Sequence, residues 1–129
     1  MVRAQRESDR KDLELNPRPL RGCIYWVSIP GERTRKKRPA LVVSVDARNR
    51  LASDVLVVPA STVRRDSPTH VRLKTGEGGV PKNCVLKCEQ ITTLPKDLLS
   101  KHAMGGELSR PLMEQVERGV LRSIGIPLD

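Results

Sequence analysis

Residues 54–62 read DVLVVPAST, a continuous apolar run, Val55–Ala60, followed directly by two hydroxyl side chains, Ser61 and Thr62. A short apolar run that is rich in β-branched residues and bounded by polar ones is typical of a β-strand. Similar runs lie on both sides of it, separated by Pro, Gly, Asn and charged residues. The predicted strands are Cys23–Ile29, Pro39–Val45, Asp54–Val58, His70–Leu73 and Cys84–Ile91.

Helical patterns are found only after the last of these strands. A short helix is predicted at Lys96–His102, and a longer one runs from Arg110 to Ile124, with Ser109 as its N-cap and Pro111 in its first turn. No helix-length amphipathic segment separates the strands, which argues against a parallel sheet with crossover helices. The sequence therefore predicts a mainly antiparallel β fold with a C-terminal helix.

Length and composition predict one domain. The chain has 129 residues, of which 37% are hydrophobic, and no apolar run approaches the ~20 residues of a membrane helix. Residues 1–19 are polar, contain two prolines and show no sustained period, so we expect a flexible or loosely helical arm there and a single domain over residues 20–129. There is no Phe, one Trp and one Tyr, which argues against an aromatic-rich base-stacking sheet.

The positive charge is concentrated in the middle of the chain. Residues 21–87 hold fourteen basic and five acidic side chains, a net charge of +9, and residues 33–38 alone hold five cations. A solvated loop would explain such a cluster, and so would a surface that binds a polyanion. Because the cluster ends directly at a predicted strand and further cations follow, we favour nucleic acid.

The cysteines and histidines do not form a metal-binding pattern. Cys23, Cys84 and Cys88 are odd in number, which favours reduced thiols over a disulfide frame. Cys84 and Cys88 have no second close ligand pair, since His70 and His102 are isolated, so we interpret both thiols as small buried hydrophobic residues and expect no metal site. The charged N-terminal residues do not resemble a secretory signal, and we expect a cytoplasmic protein outside the membrane.

Polar side chains at the strand ends form the candidate site. Arg38 begins a strand directly after the basic cluster, Ser61 and Thr62 end another, and Lys87 and Glu89 alternate along a third, on one face. If these groups meet, a carboxylate can take the proton of an RNA 2′-hydroxyl while Arg and hydroxyl groups stabilise the charged phosphorane. The spacing alone favours the simpler alternative of an ordinary surface arginine, a turn and a solvent-facing Lys-Glu pair.

Several short segments, taken in their order along the chain, carry a resemblance to a known family. They are Arg21–Val27 (RGCIYWV), Gly31-Glu32, Arg38–Val43 (RPALVV), Val57–Thr62 (VVPAST), Pro68–Val71 (PTHV) and Val85–Thr93 (VLKCEQITT). Together they cover about residues 21–124 and resemble the MazF/PemK family of bacterial toxin endoribonucleases. The resemblance implies an SH3-like barrel of the PemK/CcdB type with a C-terminal helix, assembled as a homodimer.

The resemblance also implies an activity and its partners. The expected reaction is sequence-specific cleavage of single-stranded mRNA without a metal or other cofactor, through 2′-hydroxyl attack that leaves a 2′,3′-cyclic phosphate and a 5′-hydroxyl. The expected protein partner is a cognate antitoxin with an acidic, disordered tail, which would suit the basic middle of the chain. The alternative is a non-catalytic toxin, such as a gyrase-poisoning relative, or a nucleic-acid-binding module on the same fold.

Matching the family motifs assigns roles to individual residues. Arg38 is the expected acid or phosphate stabiliser, Ser61 supplies the hydroxyl where Thr is commoner, and Glu89 is the expected base. RNA-binding roles are expected for Glu32, Lys37, Thr62, Lys87 and Gln90, of which Gln90 is expected to read a base edge. Two features depart from the family pattern: the loop between the first two strands is shorter and more basic than usual, and Thr92 and Thr93 stand where an Arg often follows the Gln.

Overall fold

The computed structural model describes residues 18–31, 36–63 and 65–128. Within these ranges the chain forms six strands and two α-helices, joined by loops and short 3-10 turns. In chain order the elements are β1 Ile24–Val27, β2 Arg38–Val42, α1 Asp46–Leu51, β3 Asp54–Ser61, β4 His70–Leu73, β5 Cys84–Lys87, β6 Thr92–Pro95 and α2 Arg110–Ser123.

The predicted N-terminal arm lies almost entirely outside the described residues. Residues 1–17 are not described, whereas Pro19 is buried and Leu20 packs against the core. Residues 18–20 are therefore part of the folded domain. No helix within the described ranges combines the length and the apolar character of a membrane span.

β3 is the central strand of an antiparallel sheet whose strand order is β1-β2-β3-β5-β4. One edge of β3 pairs with β2, so that Ala40 lies opposite Pro59. The other edge is shared by two strands, because its first half, Asp54–Val57, pairs with β6 and its last two residues pair with β5. The long apolar run in the sequence thus corresponds to a strand that is paired on both edges.

The chain after β6 covers the outer edge of β1. The Ser28 N–H donates to the Leu98 carbonyl (3.2 Å), and the Ser100 and Met104 N–H groups donate to the carbonyls of Trp26 and Ile24 (2.8 Å each). These bonds close β1, β2, β3 and β6 into a barrel and leave β1 without an open edge. The mainly β fold with a C-terminal helix is as predicted.

The sheet is buried on both faces. Alternate residues of β1 to β3 point into the barrel, where Tyr25, Val27 and Val57 form part of one core cluster. The residues between them, including Ile24 and Leu41, face the second cluster, which α2 covers with Met113 and Val116 among others. Burial on both faces explains why these strands read as continuous apolar runs rather than as an alternating pattern.

The C-terminal helix begins as predicted. The Ser109 hydroxyl accepts a hydrogen bond from the Leu112 N–H, and Pro111 occupies the first turn. A side-chain acceptor at the N-cap satisfies a backbone N–H that has no partner within the helix. Buried Met113, Val116 and Gly119 then place one face of the helix against the sheet.

The prediction for residues 84–102 was wrong in three respects. The strand predicted to reach Ile91 ends at Lys87, where Cys88–Gln90 forms a 3-10 turn, and Thr92–Pro95 forms an additional strand that pairs with β3. The helix predicted at Lys96–His102 is only a 3-10 turn over Lys96–Leu98. In both segments, hydrogen bonds to distant parts of the chain decide the backbone conformation. They outweigh the local preference for a strand in residues 88–91 and the local preference for a helix in residues 96–102.

Helix α1 was not predicted, because a buried side chain holds it in place. Asn49 is fully buried, and its side-chain amide donates to the Ser44 carbonyl (2.9 Å). The Ser44 hydroxyl in turn accepts from the Leu56 N–H of β3 (3.0 Å). A six-residue helix depends on such tertiary bonds, since helices this short are marginal by themselves.

All three cysteines are buried free thiols, whereas the sequence predicted burial only for Cys84 and Cys88. Burial raises the pKa of Cys23 and of Cys88 to about 11, so both remain protonated at neutral pH.

Cys88 also sets how closely α2 approaches the sheet. A Cβ atom added at Gly119 would lie 2.8 Å from the Cys88 Sγ and 3.1 Å from its Cβ.

We predict that Gly119→Ala lowers the free energy of unfolding by about 1–2 kcal/mol, because crowding in a packed core outweighs the helical preference of Ala. Chemical denaturation measures this change. Gly106→Ala is the matched control, since no atom lies within 4 Å of the added Cβ and stability should stay the same or rise. A Gly119→Ala protein as stable as the parent would contradict the close approach of α2 to Cys88.

Candidate active site

The pairing of β2 with β3 brings Arg38 and Ser61 to the same end of the sheet. Ala40 lies opposite Pro59, and continuing this antiparallel register by two residues brings Arg38 level with Ser61. Ala60 and Ser61 also pair with β5, whose last residue is Lys87. Three strands therefore deliver a guanidinium, a hydroxyl and an ammonium group to one region.

These side chains line an open groove of about 440 Å³, which we call the central groove. Its polar lining comprises Arg38, Ser61, Arg65, His70, Lys87 and Gln90. No acidic side chain is among the described residues that line it. Three permanent cations around one concave surface produce a site suited to an anionic backbone.

The Ser61 hydroxyl is oriented by the backbone that follows it. Its Oγ accepts a hydrogen bond from the Val63 N–H (3.1 Å). A serine hydroxyl can accept and donate at the same time, so this contact leaves the hydroxyl hydrogen available to a ligand oxygen.

Glu89 lies beside the central groove rather than in its lining. The sequence predicted that Glu89 and Lys87 lie on one face of a strand. This was wrong, because the strand ends at Lys87 and Cys88–Gln90 forms a turn. The Glu89 carboxylate accepts from the Thr69 hydroxyl (2.8 Å) and contacts the His70 Nε2 (3.0 Å). The Glu89 side chain is 39% exposed. Two residues that line the groove adjoin it: His70, which it contacts, and Gln90, which follows it in the chain.

His70 is held between two hydrogen-bond acceptors. Its Nδ1 lies 2.8 Å from the Arg65 carbonyl oxygen, which can only accept, and its Nε2 lies 3.0 Å from the Glu89 carboxylate. Both contacts are satisfied when each ring nitrogen carries a hydrogen, that is, when His70 is an imidazolium ion beside an ionised Glu89.

The electrostatics agree with this assignment. The Arg65 carbonyl and then the Glu89 carboxylate raise the pKa of His70, against the opposing effects of partial desolvation and of Lys87. For Glu89, desolvation acts to raise the pKa, but the hydrogen bonds from His70 and Thr69 together lower it. Glu89 is therefore ionised at neutral pH.

The remaining predicted residues lie in a second pocket or outside the described residues. Lys37 and Thr62 line a smaller pocket of about 140 Å³ in front of Trp26, which we call the tryptophan pocket. Arg38 and Ser61 line both this pocket and the central groove. Glu32 lies outside the described residues.

Three residues at these two sites, Trp26, Arg65 and His70, had no individual role predicted from the sequence. Two of them lie in the segments that match the family, His70 in Pro68–Val71 and Trp26 in Arg21–Val27, and that was the available signal. Arg65 was one of several cations after the basic cluster, and nothing in the sequence distinguished it. The structure places His70 directly opposite Lys87. Among the described residues, no group of three or more His, Cys, Asp or Glu side chains is arranged to hold a metal ion.

Comparison with known proteins identifies the family. Residues 20–124 match the family of PemK-like, MazF-like toxins of type II toxin–antitoxin systems. The chain belongs to this family. The resemblance seen in the sequence is thereby confirmed, and so is the fold that it implied.

Named relatives within the PemK/MazF family are similar over most of their length. Endoribonuclease MazF4 of Mycobacterium tuberculosis is 31% identical over 109 residues, covering 84% of this chain and 95% of the relative. A probable endoribonuclease MazF of Mycolicibacterium smegmatis is 32% identical over 108 residues, covering 82% and 96%. A solved mycobacterial endoribonuclease, in complex with its cognate antitoxin, matches with a TM-score of 0.71 at 31% identity, over 86% of this chain and 99% of that one.

We predict that the pKa of His70 lies above its ordinary value of 6.5 and falls in the Glu89→Gln variant, because the carboxylate that stabilises the imidazolium is gone. NMR titration of the imidazole signals measures this directly, and the chain has only one other histidine, His102. An unchanged titration in Glu89→Gln would contradict the ion pair.

The same pair makes stability depend on pH. The raised pKa of His70 gives stabilisation that is complete below 6.5 and is lost as the pH rises through the raised value. The lowered pKa of Glu89 gives stabilisation that is present above 4.5 and is lost as the pH falls through the lowered value. The contribution of the pair is therefore largest between pH 4.5 and 6.5.

Proposed function

We propose that this protein is an endoribonuclease toxin that cleaves single-stranded RNA, with mRNA as its target, at a short recognised sequence. The observation that carries the proposal is the meeting of Arg38 and Ser61 at one end of the β2–β3 pair, in a groove that also holds Arg65 and Lys87. The family membership supports it, since the relatives described above are named endoribonucleases.

In the proposed reaction the RNA supplies its own nucleophile. The 2′-oxygen forms a bond to the adjacent phosphorus while the bond from phosphorus to the 5′-oxygen breaks, which leaves a 2′,3′-cyclic phosphate and a 5′-hydroxyl. Arg38 and the Ser61 hydroxyl are the proposed donors to the phosphate oxygens. Fixed donors aimed at oxygens that gain charge in the transition state lower the barrier. Because a guanidinium stays protonated in proteins, charge stabilisation is the role that we assign to Arg38.

Glu89 is the proposed acceptor of the 2′-hydroxyl proton. Its lowered pKa keeps it in the ionised form that a base requires. Its partly exposed carboxylate lies at the edge of the central groove, because the adjoining residues His70 and Gln90 line that groove. The departing 5′-oxygen takes a proton from water in the open groove. No step of this scheme calls for a metal ion.

The other predicted residues are proposed to hold the RNA. Lys37 and Lys87 are assigned to phosphates, and Thr62 and Gln90 offer hydrogen bonds to sugar or base edges on the two sides of Arg38. An RNA-binding role is also proposed for Glu32, which precedes the densest basic cluster in the sequence. Recognition of a specific sequence requires unpaired bases whose edges are accessible to such side chains.

The proposed partners follow from the family and from the charge. A cognate antitoxin with an acidic, disordered tail would be attracted to the net charge of +9 between residues 21 and 87. A solved mycobacterial relative is in complex with its cognate antitoxin, which supports this assignment. We further propose a homodimer that acts in the cytoplasm.

We predict that the purified protein cuts a long single-stranded RNA in the presence of EDTA, and that Arg38→Ala and Ser61→Ala each slow cleavage by about 10²–10³-fold. End-mapping of the fragments reports the rate, the target sequence and the 2′,3′-cyclic phosphate together. Arg50→Ala is the matched control, because Arg50 is exposed on α1 and lines neither pocket.

Intact RNA after incubation with a folded protein, across RNAs of varied sequence, would overturn the nuclease proposal. It would instead favour the non-catalytic toxin. Equal loss of activity in Arg50→Ala and Arg38→Ala would show that general positive charge, rather than the Arg38–Ser61 site, is responsible.

A further inference from the structure

Trp26 is the only tryptophan of the chain, and its position is unusual for so large an apolar residue. Its neighbours in β1, Ile24, Tyr25 and Val27, are buried, whereas Trp26 is 37% exposed. The backbone of Trp26 is fixed by a hydrogen bond from the Ser100 N–H to its carbonyl (2.8 Å).

The tryptophan pocket has an apolar interior and a basic rim. Beside Trp26 its apolar lining includes Pro39, Val80 and Pro81. The volume of about 140 Å³ is on the scale of a single ring, since a protein cavity of about 150 Å³ holds one benzene molecule.

The rim carries four cations, Lys36, Lys37, Arg38 and Lys82, and no acidic side chain is found among the described residues that line the pocket. An aromatic surface combined with cations is the arrangement by which proteins bind single-stranded nucleic acids, where bases stack on aromatic rings and phosphates meet Lys and Arg.

The tryptophan pocket adjoins the proposed site of cleavage. Arg38 and Ser61 line this pocket on one side and the central groove on the other. An RNA strand whose phosphate lies at these two residues therefore has a base-sized slot on one side and the broader groove on the other.

We propose that the tryptophan pocket is a nucleotide subsite, in which one unpaired base of the RNA stacks on the Trp26 indole and its flanking phosphates contact Lys36, Lys37 and Lys82. This inference rests on the proposed function and adds the place where a base next to the cleaved bond is held. RNA fits better than an acidic peptide, because each nucleotide carries a flat ring and a negative charge on the same unit, whereas an acidic side chain has no ring to fill the slot.

The indole itself provides the test. A mixed-sequence oligodeoxynucleotide lacks the 2′-hydroxyl and cannot be cut, so it reports binding alone. We expect it to quench the fluorescence of the single tryptophan in a saturable way. With a dye-labelled oligodeoxynucleotide and fluorescence anisotropy, Trp26→Leu should bind about five- to one-hundredfold more weakly, while Trp26→Phe should recover most of the affinity because it keeps a ring for stacking.

Leu51→Ala is the matched control, because Leu51 is a 78% exposed apolar residue that lines neither pocket, and its affinity should not change. Equal affinity of Trp26→Leu and the parent protein would overturn the subsite. So would fluorescence that responds to polyglutamate but not to the oligodeoxynucleotide, since that result would indicate a protein-binding surface.

Cleavage assays separate this inference from the proposed function. If the parent protein cuts RNA and Trp26→Leu cuts it with the same kcat/KM, the subsite is wrong while the nuclease proposal stands. If the parent protein binds the oligodeoxynucleotide through Trp26 but leaves RNA intact, the nuclease proposal is wrong while the base-stacking pocket stands.

Discussion

The site depends on the pairing of β3 with a strand on each edge. One edge pairs with β2 and the other with β6 and then β5. The last residue of β3, Ser61, lies level with Arg38, the first residue of β2, and pairs with Val85 of β5, two residues before Lys87. A shift of one residue in any of these registers would turn the polar groups to the other face of the sheet. The geometry of the groove is therefore a direct consequence of strand register.

The second support of the site is the contact between α2 and the turn after β5. Gly119 allows the helix to approach Cys88, and the Cys88 N–H bonds to the Thr69 carbonyl (3.0 Å) just before β4. From there the His70–Glu89 pair and the bond from His70 to the Arg65 carbonyl connect the turn to the loop that follows Ser61. Packing and ion pairing together hold both walls of the central groove.

Local patterns in the sequence predicted what local interactions determine. The five apolar strands, the Ser109 cap of the C-terminal helix and two of the three buried thiols were all accessible, because periodicity, capping and apolar character are properties of short segments. Strand β6 and helix α1 were not predictable, because each depends on contacts outside its own segment. Exposed Thr92 belongs to a strand only because it pairs with Val57 of β3, and buried Asn49 is held by its hydrogen bond to the Ser44 carbonyl. The position of Glu89 was missed for a related reason: the period of two stops where a strand becomes a turn.

A double-mutant cycle on RNA cleavage measures whether Arg38 and Ser61 act together on one phosphate. Rates are measured for the parent, Arg38→Ala, Ser61→Ala and the double variant on one RNA. If the two groups work as a unit, the double variant is about as slow as the slower single variant, as found for residues that share one catalytic task. If the two losses multiply, as they do for independent sites, Arg38 and Ser61 do not act on the phosphate as one unit.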